Sequence, residues 1–139
     1  MARLTRHIYP GLICGIIIMI LCGLPGSCIP KVKTFWEWLG PDKIVHCLMF
    51  GLFSFAIIWG YRDEYCERDK SYRIRLQLVT LLVSAAYGAL TEVLQNYLFR
   101  GRYGSVYDFL ADLIGCILGI LIFKSIFRKN FCKKKSTIQ

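Results

Sequence analysis

The sequence predicts an all-α fold: an integral membrane four-helix bundle, N-in/C-in, with both termini in the cytoplasm. Three observations predict it. Four apolar runs divide a chain of 139 residues that is 55% hydrophobic and has a mean hydropathy of +0.47. None of these runs alternates with the period of a barrel strand, so helices are the expected spanning form where no water satisfies open backbone. The basic residues gather between and beyond the runs, unequally on the two sides.

The first run extends from Ile8 to Leu24 and is closed by Pro25 and Gly26. The second covers Ile44 to Tyr61, the third Leu76 to about Leu98, and the fourth Phe109 to about Phe127. The spans 8–24, 44–61, 76–98 and 109–127 thus belong to a single transmembrane domain, 1–139. Each is near the roughly 17–25 residues that a tilted transmembrane helix needs. Arg3 and Arg6 precede the first run. Arg62, Arg68, Lys70, Arg73 and Arg75 separate the second from the third. Lys124, Arg128, Lys129, Lys133, Lys134 and Lys135 close the chain, making thirteen basic residues on that side. The other side holds five: Lys31, Lys33, Lys43, Arg100 and Arg102. The positive-inside rule assigns the richer side to the cytoplasm.

Arg3, Arg6, the first run and Leu24-Pro25-Gly26-Ser27-Cys28 loosely imitate a cleaved secretory or lipoprotein signal. Pro25 is a poor residue three before the cysteine, and the run is longer than most signal cores, so retention as a span is expected. Cleavage would leave three spans and the same arrangement of polar residues. Between the first two runs, Phe35, Trp36 and Trp38 suit the headgroup layer. The segment from Arg62 to Arg75 mixes charge signs and is expected to be a solvated connector. The Lys133-Lys134-Lys135 tail suits anionic lipid.

A net charge of +9, from 18 Lys and Arg against 9 Asp and Glu, would suggest nucleic acid in a soluble protein. No basic face interleaved with stacking aromatics is present, so nucleic acid is excluded as a partner. The seven cysteines are scattered and form no CxxC pair. Neither a zinc site nor a disulfide framework is expected from them, and in apolar runs they behave as small hydrophobes.

The polar residues inside the runs carry the functional signal. Asp42, Lys43 and His46 occupy the first turns of the second run, with Asp42 and His46 four apart on one face. Gly40 and Pro41 suit a helix start, and an acid there is favoured by the helix dipole. In the third run Ser84, Gly88, Thr91 and Gln95 form a small or polar stripe at helical spacing, with Glu92 beside it. In the fourth, Asp108, Asp112, Gly115 and Gly119 fall within about 60° of one another on a helical wheel. The acids continue into a G-x-x-x-G contact face, so they point into the bundle. The preceding turn, Gly101-Arg102-Tyr103-Gly104-Ser105, is short enough to fold Arg102 back over the carboxylates.

On the predicted topology His46, Glu92, Gln95, Asp108 and Asp112 reach one side of the membrane at similar depth. An ionisable group at the bilayer centre costs roughly 2.5–3.5 kcal/mol on insertion scales, so such groups mark function by default. His46, Glu92, Asp108 and Asp112 are the candidate catalytic residues. They suit a divalent metal, as imidazole and carboxylate ligands, and suit equally a metal-free acid/base site. Lys43, Gln95, Arg102 and Ser105 are the candidate substrate-binding residues, the two cations suiting a phosphate or carboxylate. A purely structural polar network between the helices is the third reading.

The ordered set Asp42-Lys43-x-x-His46, Gly88-x-x-x-Glu92-x-x-Gln95 and Arg102-x-x-Ser105-x-x-Asp108-x-x-x-Asp112-x-x-Gly115-x-x-x-Gly119 resembles the VanZ-like family of membrane proteins. Where that family often has Asn, this chain has Asp112, which adds a negative charge. The resemblance implies a small, multi-pass helical protein of the bacterial cytoplasmic membrane. It also implies a role in the cell envelope, the founding member being associated with resistance to the glycopeptide antibiotic teicoplanin. Two other functional classes fit the residues. One is an intramembrane hydrolase or transferase acting on a membrane lipid or lipid-linked envelope precursor. The other is a structural or assembly partner.

Overall fold

The computed structural model describes residues 2–23, 41–97 and 105–136, with side chains over 7–23, 42–97 and 105–127. The described residues form four long helices, one short one and no strand. They are α1 (Ala2–Gly23), α2 (Pro41–Gly60), α3 (Arg62–Glu67), α4 (Lys70–Tyr97) and α5 (Val106–Ser136). Three segments are long and apolar enough to cross a membrane: Asp42–Gly60, Lys70–Tyr97 and Val106–Phe127. The apolar part of α1, His7–Gly23, is shorter.

The helix ends follow from local chemistry. Pro41 opens α2, where its missing N–H costs no hydrogen bond, and Asp42 in the first turn meets the positive end of the dipole. Asp69 starts α4 by accepting the Tyr72 amide on its Oδ1 at 3.3 Å. Ser105 starts α5, its Oγ accepting the Tyr107 amide at 3.2 Å and its carbonyl the Asp108 amide. Both are N-caps that satisfy otherwise orphaned donors.

Helix α2 is the hub, packing most extensively on α5 and also on α1 and α4. Its contact with α5 is a backbone-to-backbone approach. A Cβ at Gly115 would run into the Cys47 carbonyl, and one at Gly119 into the Gly51 carbonyl and the Ser54 hydroxyl. Ser54 Oγ donates to the Cys116 carbonyl across this seam at 3.0 Å. Two apolar clusters flank the approach: Ile18, Cys22, Phe50, Phe53 and Cys116 toward one end, and Ile58, Tyr65, Ile120, Phe123 and Phe127 toward the other. The outward faces are apolar as well, with Leu52 63% and Leu82 69% exposed. Such a surface is stable against lipid tails and unstable against water.

The segment 62–75 differs from the solvated connector expected of it. Its first part is the helix α3, and α4 begins at Lys70, six residues before the apolar run. Tyr65 turns inward and packs edge-on against Phe123, with ring centroids 5.2 Å apart. Its hydroxyl accepts from Gln77 Nε2 at 2.9 Å. An aromatic ring can bury its body while its hydroxyl stays bonded, which charge patterning alone does not register. Cys66 in the same helix is disulfide-bonded, a departure from the expectation of free thiols. Cys22 and Cys116 are buried and reduced, as small hydrophobes are.

Helix α1 is tied in by polar contacts at its start and by small residues along its length. His7 Nδ1 donates to the Gly60 carbonyl at 2.6 Å, its Nε2 lies 3.1 Å from Glu64 Oε1, and its ring stacks on Tyr61. Further along, Tyr87 of α4 donates to the Gly15 carbonyl at 2.7 Å. Tyr87→Phe removes one hydrogen bond and is expected to cost about 0.5–1.5 kcal/mol in detergent unfolding. An unchanged unfolding midpoint would show that this contact does not hold α1.

Candidate functional site

Four of the expected residues converge because three helix ends meet at one end of the bundle. His46 lies five residues inside α2, Glu92 five residues before the end of α4, and Asp108 and Asp112 in the first two turns of α5. At 1.5 Å per residue, His46 and Glu92 each sit roughly 8 Å from the helix end. All four are buried, His46 at 1% exposure and Asp112 at 0%.

The centre is a hydrogen bond from His46 Nδ1 to Asp112 Oδ1 at 2.9 Å. With Asp112 ionised and His46 neutral, Nδ1 is the donor and the ring lone pair is left on Nε2. Glu92 Oε1 lies 3.8 Å from the same Nδ1. The other oxygen of Glu92 accepts the Ser105 backbone amide at 2.8 Å, so one residue both caps α5 and anchors the acid of α4. Glu92 Oε1, Asp112 Oδ2 and Gln95 Nε2 are buried without a hydrogen-bond partner among the described residues. A buried polar atom left unpaired costs about 1–3 kcal/mol, and the two carboxylate oxygens beside His46 call for a ligand, a water or an ion.

At the rim, Lys43 Nζ pairs with Asp108 Oδ1 at 3.1 Å. The lysine is partly exposed and the aspartate buried, so Lys43 covers the end of the cluster. Arg102, the other cation expected there, lies outside the described residues, as do Phe35, Trp36 and Trp38. Ser105 stands at the site through its backbone, its hydroxyl being occupied by the Tyr107 amide. The floor is made of small groups. A Cβ at Gly88 would come 3.1 Å from Asp112 Oδ2 and 3.4 Å from the Phe50 ring, so glycine there lets α4 reach the acid of α5.

His46, Glu92 and Asp112 each offer one ligand atom, and these atoms lie within 4.8 Å of one another. One imidazole and two carboxylates suit a divalent cation such as zinc, manganese or iron. The same three groups suit proton transfer, with Asp112 fixing the imidazole and Glu92 able to balance its positive charge. Sequence reasoning did not single out Thr80 and Ser54. Both are buried, and the faces on which they fall were legible from helical spacing.

Two comparisons bear on this geometry. Over 82 residues the chain is 32% identical to the uncharacterized protein C11E3.10 of Schizosaccharomyces pombe, a match covering 58% of this chain and 45% of the relative. The chain therefore spans less than half the length of that relative. No solved structure gives a significant match. The VanZ/LLP1 family matches residues 24–128, a stretch that contains α2, α4, most of α5 and every residue of the buried cluster. With about three-quarters of its length matched, the chain belongs to the VanZ/LLP1 family.

Proposed function

We propose that the chain is a four-span membrane protein with both termini in the cytoplasm, and that the His46–Asp112–Glu92 cluster is an acid/base site opening at the external face. Its substrate would be a membrane lipid or a lipid-linked envelope precursor, hydrolysed or transferred at a bond near the headgroup. The observation that carries this reading is His46, fixed by Asp112 beside an unpartnered oxygen of Glu92. A lone pair on Nε2 can accept the proton of a water or hydroxyl nucleophile, and the two carboxylates stabilise the imidazolium that results. Lys43 at the rim supplies a cation for a phosphate. A bilayer-facing exterior with the polar cluster near one end suits a substrate that arrives from the lipid.

A divalent cation at the same three residues is the second reading, favoured by the unpartnered Glu92 Oε1 and Asp112 Oδ2. It would supply a Lewis acid or an activated water. Elemental analysis of the purified protein separates the two. One bound transition metal per chain, lost in His46→Ala, supports the cation; a metal-free protein with full activity supports acid/base chemistry alone. The family resemblance adds a physiological form of the proposal: in a bacterial cytoplasmic membrane, turnover of an envelope precursor would alter teicoplanin susceptibility. Incubating the protein with extracted membrane lipids and following products by mass spectrometry tests the activity. Lipid products formed by the parent and absent with Glu92→Gln are expected; identical lipid profiles would overturn it.

Orientation has its own test. The basic asymmetry puts the α2–α4 turn inside, whereas the disulfide at Cys66 argues for an oxidising compartment there. Single cysteines at the exposed positions Asp69 and Tyr107, in a chain whose native cysteines are alanine, decide between them. An impermeant thiol reagent on intact cells is expected to mark Tyr107→Cys alone. Labelling of Asp69→Cys instead would reverse the topology and place the site on the cytoplasmic face.

A further inference from the structure

A cavity of about 840 Å³ lies between α1, α2 and α4, apart from the polar cluster. It falls within the roughly 300–1,000 Å³ of small-molecule sites. Its lining runs along α1 from His7 to Ile20, which at 1.5 Å per residue is about 20 Å. One leaflet's share of a 30 Å hydrocarbon core is about 15 Å, so the groove is long enough to hold one acyl chain. Its walls are aliphatic, including Ile16, Val79 and Val83. A barrier of Phe50, Phe53 and Tyr87, with ring centroids 5.1–6.3 Å apart, stands between it and the Gly88–Asp112 floor of the polar cluster. The groove is therefore a separate feature from the His46 site.

Its polar groups collect at the end remote from His46. Tyr61, Tyr72 and Arg75 line that mouth together with His7. His7 is committed to Gly60 and Glu64. Arg73 donates to the Cys66 carbonyl and lies over Tyr65, while Arg68 lies over Tyr72. Arg75 is exposed and makes no ion pair among the described residues. Thr80, farther along the wall, is 1% exposed. An apolar channel with a cation and phenol hydroxyls at one end is complementary to an anionic amphiphile.

We propose that this groove binds one acyl chain of an anionic phospholipid, with the lipid phosphate on Arg75 and the Tyr61 and Tyr72 hydroxyls at the mouth. Arginine binds phosphate through a planar fork of donors, which an isolated lipid-facing arginine would otherwise leave without an acceptor. The site depends on the chain lying in a bilayer and not on chemistry at His46.

The full chain in detergent, titrated with phosphatidylglycerol or phosphatidylcholine of identical acyl chains and read by native mass spectrometry, tests the proposal. The parent is expected to bind phosphatidylglycerol about tenfold more tightly. Arg75→Ala should bring that affinity down to the level of phosphatidylcholine, and Val79→Trp, which fills the groove from an exposed position, should weaken both lipids. Arg62→Ala, whose guanidinium lies over Trp59, should leave the preference intact, and so should His46→Ala, which separates this outcome from the fate of the polar site. Equal affinity of the parent for the two lipids would overturn the proposal. So would a preference that survives Arg75→Ala, or binding that survives Val79→Trp in a variant with the parent's thermal stability.

Discussion

Gly115→Leu and Gly119→Leu are each expected to abolish folded protein, the largest stability effects this fold should show. A Cβ at either position would meet backbone of α2, the Cys47 carbonyl in one case and the Gly51 carbonyl in the other. Backbone cannot rotate away as the end of a flexible side chain can, so the helices must separate. Overpacking by extra methylenes in a packed core costs about 1–3 kcal/mol and sometimes more. Separation here would also break the Ser54–Cys116 hydrogen bond and pull α2 away from the polar cluster. Alanine at the same positions should give an intermediate loss, because the Cβ alone already collides. Leu118→Ala is the control: Leu118 is exposed on the lipid-facing side, and its truncation should leave folding nearly unchanged. Size-exclusion profiles and thermal unfolding in detergent measure all three. Leucine variants as stable as the parent would mean that α5 presents another face to α2 and that the acids do not converge as described.

The second large effect is on function. His46→Ala, Glu92→Gln and Asp108→Asn are expected to retain insertion and thermal stability while losing the lipid-directed activity, or any envelope phenotype that expression confers. A buried charge retained for function carries desolvation cost and unpaired atoms, so removing it relieves the fold as often as it harms it. Glu92 Oε1 and Asp112 Oδ2, both without partners among the described residues, are where that cost resides. The structural alternative makes the opposite demand. If the His46–Asp112 pair and the Lys43–Asp108 pair exist to hold helices together, taking one partner leaves the other uncompensated and costs about 3–5 kcal/mol. The variants would then unfold or be degraded, and activity would fall only in proportion to abundance. Stability measured beside specific activity per folded molecule separates the two. Folded variants with full activity would leave the cluster without a function of either kind.

Much of this architecture follows from one-dimensional pattern, for a physical reason. Apolar length and helical period are local quantities, so the apolar stretches of α2, α4 and α5 could be placed from the sequence. Their ends were less legible because helices continue past the hydrophobic run: α4 gains its first turns from the Asp69 cap, and α5 extends to Ser136. Tyr65 escaped notice because it sits in a charged segment, where only tertiary packing on Phe123 reveals its burial. The disulfide at Cys66 was hidden for the same reason, since scattered cysteines carry no spacing rule.

The site divides along the same line. Placing His46, Glu92 and Asp112 at similar depth, with Asp108 about one turn nearer the rim, required only their distances from helix ends, and the small-residue faces required only a wheel. The sequence by itself therefore determined the helical class, the depth of the polar residues and the G-x-x-x-G seam. Only the tertiary structure decided that His46 bonds Asp112 in preference to Glu92, that the Ser105 backbone holds Glu92, and that Lys43 covers Asp108. Those choices depend on how α2, α4 and α5 rotate about their axes. Close approach at Gly51, Gly88, Gly115 and Gly119 restricts that rotation, and hydrogen-bond partners change with it. The groove beside α1 is likewise a property of the assembly, because a cavity exists only where helices fail to meet.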